Sequence, residues 1–282
     1  MKTIAEVLTL STTFLSDKKI DRARRSAEEL LASILALKRM DLYLQYDRPL
    51  LEGELERMRT LLKRRSTGEP LEQVLGEIEF YHCQLAITPD VLIPRQETEI
   101  LVDLIAKKIK ERPVLGRSLW DLCTGSGCIG LSLKKSFSEL NVSLSDLCPK
   151  ALALAKKNAE ANQLQVDLRL GDLLEPFFGE TADFIICNPP YISQKEYEAL
   201  DPGVRDFEPR SALLAGERGT EFYERMAREL PPFLRPGAQI FFEIGSGQGA
   251  AVQEIFSSLP WRRSRLLLDW AGKDRFFFLE IE

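Results

Sequence analysis

The segment Cys187-Asn188-Pro189-Pro190-Tyr191 carries the most specific chemistry in the chain. Two successive prolines remove backbone donors and confine the residues before them to extended conformations. The side-chain oxygen of Asn188 and a nearby backbone carbonyl are then held as a stiff pair of acceptors. Such a pair suits a planar NH2 group, which brings two donors, and repels a carboxylate, which brings none. The nitrogen of a group gripped in this way is turned toward an electrophile in line, and Tyr191 can pack against the planar group. An amide, a nucleobase amino group or another sp2 nitrogen fits. The competing reading is a rigid turn that only caps an apolar strand. No general base is needed before attack, because the nitrogen stays neutral until the new bond forms. Orientation at near-attack distance, with acceptors aimed at N–H groups whose charge grows, carries the catalysis.

A second constellation lies earlier, at Asp121-Leu122-Cys123-Thr124-Gly125-Ser126-Gly127-Cys128-Ile129-Gly130, between an expected strand and an expected helix. Its glycines permit a tight turn and close approach of a ligand to the backbone. The run also satisfies the G-x-G-x-x-G dinucleotide pattern. Asp146 ends the next strand 19 residues after Gly127, where it can accept two ribose hydroxyls. The glycine pattern alone does not choose between a nicotinamide cofactor and S-adenosylmethionine. Two acids favour the methyl donor. Asp121 stands just before the loop, where a carboxylate would lie in the field of a pyrophosphate but can orient an ammonium group. Asp172 ends the third strand, placed to accept from an adenine amino group while Leu173 packs on the ring. A solvated loop or a helix cap is the alternative for each acid taken singly.

The elements that must position these residues follow from periodicity. Residues 1–75 show apolar positions at spacings of three and four, including Ile4, Val7, Leu8 and Leu15, then Ala27, Leu30, Leu31 and Ile34, which predicts a small helical bundle. Asp21 is expected to cap the second helix, and a third, through Leu51 to Leu62, is stopped by Gly68 and Pro70. Residues 76–96 are expected to be a linker with a short β-hairpin, within a polar stretch that begins at Gly68. Over 97–282 helices alternate with short apolar strands, at 118–122, 141–145, 166–170, 183–187, 238–244, 264–269 and 276–281. Helices are expected at 97–110, 128–137, 149–162, 217–230 and 248–258. The alternation predicts an α/β domain with a mostly parallel, doubly wound sheet.

Composition narrows the partners. The net charge of -5 argues against bulk attraction to nucleic acid or an anionic membrane. Residues 1–80 hold 14 basic and 14 acidic side chains, and the rest 24 and 29. The basic runs Lys18-Lys19-Arg22-Arg24-Arg25 and Arg262-Arg263-Arg265 read as solvated faces. Five cysteines without a C-x-x-C pair suggest neither a disulfide framework nor a zinc site, and a reducing, cytoplasmic setting is expected. No run approaches the length of a membrane span. The single His82, with no nucleophile or ligand beside it, reads as structural or exposed.

Taken together, Pro94-Arg95-Gln96-Glu97-Thr98, Asp121 to Gly127, Asp146, Asn188 to Tyr191, Glu208-Pro209 with Ala212-Leu213, Glu243-x-Gly245-x-x-Gln248, and Asp269 with Arg275 resemble the PrmC/HemK family over essentially the whole length. The resemblance implies a Rossmann-like, seven-stranded class I S-adenosylmethionine-dependent methyltransferase domain preceded by a small all-helical domain. It implies N5-methylation of the glutamine in the Gly-Gly-Gln motif of class 1 peptide chain release factors. S-adenosylhomocysteine would be the product, and no metal is expected. By the same likeness Asn188, Pro189, Pro190 and Tyr191 receive the glutamine amide. Cys123, Thr124, Gly125, Ser126, Gly127, Asp121, Asp146, Asp172, Leu173 and Asn188 surround the cofactor. The helical domain would engage the release factor, with no direct contact to nucleic acid or membrane, and a monomer is expected. Three positions depart from the family pattern: Cys123 and Gly203, where glycine and glutamate are usual, and Ala215-Gly216, where a glycine pair is common. A cysteine at 123 is tolerable if its backbone angles are ordinary, and with no Cys/His base constellation nearby in sequence it reads as loop packing and not as a nucleophile.

Overall fold

The computed structural model describes residues 2–258 and 260–281; the side chain of Arg262 lies outside the described residues. The chain divides into one unit of Met1–Glu77 with Asp201–Phe207, and another of Ile78–Leu200 with Glu208–Glu282.

The first unit is helical, with helices Ile4–Asp17, Ala23–Leu35, Asp41–Leu44, Glu52–Arg65 and Leu71–Leu75. Thr3 opens the first with a capping box: its hydroxyl accepts from the Glu6 amide, and the Glu6 carboxylate accepts from the Thr3 amide at 2.8 Å. Asp21 does not cap the second. Arg22 holds the cap position in a left-handed conformation (φ 49°), which turns the chain so that Asp21 is left exposed, 3.7 Å from the Arg22 guanidinium. Ile4, Leu8, Leu15, Ala27, Leu30 and Leu31 are fully buried, as their spacing requires. Arg24 and Arg25 of the basic run pair with Glu28 and Glu29 one turn on. The stretch after Gly68, expected to be a linker, contains the helix Leu71–Leu75. Its Gln73 and Val74 are buried, and the Gln73 amide donates to the Phe207 carbonyl at 2.9 Å.

The second unit is built on a seven-stranded sheet: β1 (Ser118–Leu122), β2 (Asn141–Asp146), β3 (Asp167–Leu170), β4 (Ala182–Cys187), β5 (Leu234–Glu243), β6 (Trp261–Leu268) and β7 (Asp274–Ile281). Their order is β6-β7-β5-β4-β1-β2-β3, with the last five parallel and β7 antiparallel to both neighbours. Apolar clusters cover both faces. Along β4, Phe184 and Ile186 enter one, while Ile185 and Cys187 enter the other. That is why this strand reads as an unbroken apolar run.

A hairpin, Glu77–Phe80 with Cys83–Ala86, precedes the sheet, and His82 is exposed at its turn. The helix expected over 217–230 spans only Glu221–Glu229, because Gly219 takes φ 84° before it. A Cβ at Gly219 would fall 2.7 Å from the Tyr191 carbonyl oxygen, so glycine permits both the turn and the approach.

Candidate active site

The order of the strands reverses between β1 and β4, and a crevice opens beyond their C-terminal ends at this switch point. Leu122 is the register partner of Cys187, so the glycine-containing loop and the Asn-Pro-Pro-Tyr segment leave the sheet side by side. Cys123, Thr124, Gly125, Ser126, Asp146, Asp172, Leu173, Asn188 and Pro190 all line one cleft. The strap Asp90–Pro94 contributes to it, as do Thr98, Cys148, Ala212 and Phe222.

The loop is shaped by two carboxylates. Asp146 accepts from the Gly125 amide at 2.8 Å and from the Cys148 amide at 2.9 Å. Burial raises its pKa, opposed by those backbone bonds. Each of its oxygens keeps a lone pair for a further donor, the requirement for gripping two vicinal hydroxyls. Asp121, expected to face the cofactor, is not among the residues that line the cleft. It is buried under the loop, where Oδ2 accepts from the Thr124 hydroxyl at 2.7 Å and the Gly130 amide at 2.9 Å. Burial pushes its pKa up to about 7, against the pull of both hydrogen bonds. Gly127 also lies behind the cleft, with φ 84°. A Cβ there would meet Leu131 at 2.9 Å and Ala155 at 3.3 Å, so its role is close packing of helix on loop.

Cys123 does not have ordinary backbone angles. Its φ of 55° is left-handed, the region that favours the glycine usual in the family. Asp172 lines the cleft with one oxygen already bonded to Arg225 at 2.9 Å, and Leu173 is buried against the wall. The residues fit an S-adenosyl group. They offer a carboxylate for ribose, an apolar wall at Leu173, and the buried Ser126 hydroxyl, which has no hydrogen-bond partner among the described residues.

On the acceptor side, Pro189 and Pro190 are buried and Asn188 is half-buried; Pro189 and Tyr191 are not among the cleft-lining residues. None of the hydrogen bonds among the described residues uses the Asn188 side chain. Gln248 secures the segment from behind: its Nε2 donates to the Tyr191 carbonyl at 2.8 Å and the Gly219 carbonyl at 3.2 Å, while Oε1 accepts from the Gly245 amide at 2.8 Å. Glu243 is buried nearby, accepting from the Thr98 hydroxyl at 2.8 Å, and burial pushes its pKa up to about 7. Burial and then Glu243 raise the Tyr191 phenol. Arg95 pairs with the buried Glu208, whose other oxygen accepts from the Ile93 amide at 3.1 Å, so Arg95 braces the strap.

Asp90 to Leu92 of the strap and Phe222 escape sequence reasoning, because they reach the site from distant segments with no local motif of their own; Pro94 and Gln248 belong to motifs noted in the sequence, but the bond from Gln248 to the Tyr191 carbonyl is visible only in the fold.

The PrmC N-terminal domain family matches residues 6–76 and the methyltransferase small domain family matches residues 96–201. A release factor glutamine methyltransferase from Chlamydia trachomatis serovar L2 is 41% identical over 98% of this chain and 93% of its own. One from Geobacter sulfurreducens is 39% identical over 90% of this chain and 88% of its own. Among solved structures, a methyltransferase from Pyrococcus furiosus superposes with a TM-score of 0.53 at 15% identity, over 80% of this chain and 98% of its own.

Proposed function

The chain belongs to the family of release factor glutamine methyltransferases, and from that premise we propose that it methylates the side-chain amide nitrogen (N5) of the glutamine in the Gly-Gly-Gln motif of class 1 peptide chain release factors. The observation that carries this reading is the pairing of Leu122 with Cys187, which brings the cofactor loop and the amide slot together at one switch point.

S-adenosylmethionine, when bound, supplies an electrophilic methyl group and leaves as S-adenosylhomocysteine. Asp146 holds the ribose hydroxyls, while Cys123 to Ser126 and Leu173 form the walls around the rest. Asp121 and Gly127 act through the loop, holding its backbone in shape. Asn188 accepts one amide N–H of the glutamine and the Pro189 carbonyl accepts the other, which turns the nitrogen toward the cleft. Pro190 keeps that pair stiff, and Tyr191 bounds the slot. As the nitrogen gains positive charge its N–H groups become stronger donors, so both acceptors hold the transition state more tightly than the ground state. Thr98, Glu243 and Gln248 keep the slot in place.

The helical unit supplies release-factor recognition away from the modified loop, lending binding energy to orientation at the reacting centre. The net charge of -5 supports a protein substrate over direct nucleic acid binding. Among the described residues no helix is long and apolar enough to cross a membrane. The free cysteines and a substrate drawn from translation support a cytoplasmic enzyme, and a monomer is proposed with it.

Mass spectrometry of an intact release factor, incubated with the enzyme and isotopically labelled S-adenosylmethionine, tests the assignment. Label is expected on the Gly-Gly-Gln glutamine, with a short peptide of that motif a poorer substrate. Label elsewhere, or none, overturns the assignment. Equal efficiency on peptide and intact factor overturns the recognition role of the helical unit.

A further inference from the structure

The sulfur atoms of Cys123 and Cys187 lie 4.0 Å apart, with the Cys187 thiol donating to the Cys123 sulfur. The proposed methyl transfer uses neither thiol, and four features of their placement belong together. Cys123 keeps a side chain at φ 55°, where glycine would avoid the backbone cost, and that side chain packs toward the apolar cluster that holds Cys187. Cys123 is half-buried and lines the cofactor cleft, so a small solute in the cleft reaches it. Cys187 is fully buried in a strand paired on both sides, to Leu122 and to Phe242, so solutes do not reach it directly, and its sulfur touches that of Cys123. The residue after Cys187 is Asn188, and those after Cys123 are the cofactor loop.

We propose that Cys123 and Cys187 form an oxidisable thiol pair that closes to an intrachain disulfide, and that closure switches off cofactor binding. With a hydroperoxide as oxidant, the Cys123 sulfur attacks one peroxide oxygen. The O–O bond breaks, giving a sulfenic acid at Cys123 and, for hydrogen peroxide, one water. The Cys187 sulfur then attacks the Cys123 sulfur. The S–O bond breaks, its oxygen leaves with the Cys187 proton as a second water, and the disulfide forms. Two thiols have lost two electrons and two protons, and one peroxide has become two waters.

A disulfide needs its sulfurs about 2 Å apart. The doubly paired strand resists movement, so the approach falls on Cys123 and draws the start of the loop toward the sheet. The Gly125 amide, bonded to Asp146 at 2.8 Å, lies two residues further along and moves with it. Burial raises the Cys187 thiol's pKa, in keeping with reaction beginning at Cys123. A bound cofactor covers Cys123 and protects the pair.

The test treats reduced full-length protein with one equivalent of hydrogen peroxide and blocks remaining thiols by alkylation. Peptides are mapped without reduction, and S-adenosylmethionine affinity is measured by calorimetry. A cross-link between the peptides carrying residues 123 and 187 is expected, with affinity down at least tenfold and both changes reversed by dithiothreitol. Saturating the protein with S-adenosylmethionine beforehand should slow the cross-link. Cys187→Ala, or Cys187→Ser if the smaller side chain impairs folding, should keep its affinity through peroxide treatment and dithiothreitol. The proposal is overturned if wild-type Cys123 and Cys187 both remain alkylable, if Cys123 links instead to Cys148, or if the expected cross-link forms without loss of affinity. Because the cross-link is read by mass, its absence is distinct from a wrong choice of methyl acceptor.

Discussion

The two lips of the crevice are built in opposite ways. On the cofactor side the backbone is tied down by buried or half-buried carboxylates: Asp121 holds Thr124 and Gly130, and Asp146 holds Gly125 and Cys148. Asn158 adds a bond to the Ser126 carbonyl at 2.9 Å. On the acceptor side prolines remove donors, Gln248 takes up the Tyr191 carbonyl, and among the described residues no hydrogen bond uses the Asn188 side chain. A loop that must present N–H groups and hydroxyl acceptors to a large ligand needs its shape imposed from beneath. On the proposed function, a slot that grips one amide needs stiffness and an acceptor kept for the substrate. The two lips should therefore fail in different ways.

The largest effect is expected at Asp146. Asp146→Ala removes a charged acceptor worth about 1.5–3 kcal/mol, roughly a 10- to 150-fold rise in the dissociation constant for S-adenosylmethionine by calorimetry. Turnover at saturating cofactor should change far less; an equal fall in turnover would show that the lips are not separable.

Asn188→Ala reverses the pattern. The lost hydrogen bonding should lower kcat by about 1–3 kcal/mol, or roughly 5- to 150-fold, with a smaller change in cofactor affinity. Wild-type turnover on the methylated substrate would remove Asn188 from its role.

Gln248→Ala releases the slot without touching the cleft. A loss of about 0.5–1.5 kcal/mol, roughly 2- to 10-fold in kcat, is expected at unchanged cofactor affinity. A change confined to affinity would mean that the clamp serves the other lip.

The last expected effect is read on stability against pH and not on activity. Asp121 and Glu243 have folded pKa values of about 7 against ordinary values of 3.8 and 4.5. Between those limits the folded state holds more protons than the unfolded one. Their contribution is therefore fully present below about pH 4 and is lost as pH rises through 7. Denaturant midpoints should fall between pH 5 and pH 8, and Asp121→Asn, which keeps one oxygen acceptor, should flatten part of that slope. An unchanged slope would mean that Asp121 does not titrate there.

Much of the fold is legible in the chain because periodicity reports burial directly. Five of the seven strands and the helices between them announce themselves as runs covered on one face or both, and the two edge strands, Asp167–Leu170 and Trp261–Leu268, are read from their apolar residues and spacing. Legibility fails where the determinant is local geometry. The helix Leu71–Leu75 is too short to show a period, and its Gln73 bonds to the Phe207 carbonyl, far along the chain. Asp21 has the right residue type for a cap, but the left-handed turn at Arg22 sends it elsewhere. Asp121 shows the same limit inside the site. Its place at a strand end is readable, yet alternation along β1 points it beneath the loop and out of the cleft.

Residue types and short-range spacing alone determined the chemistry available: stiff acceptors at 188–189, a glycine turn at 125–127, an acid at 146. These are properties of neighbours along the backbone, and no folding is needed to read them. Which of those groups face one another was decided only in three dimensions. Parallel pairing of β1 with β4 joins residues from distant parts of the chain, setting the loop beside the slot and the Cys123 sulfur beside that of Cys187. No local pattern encodes such an encounter, because it comes from strand order and register across the whole sheet.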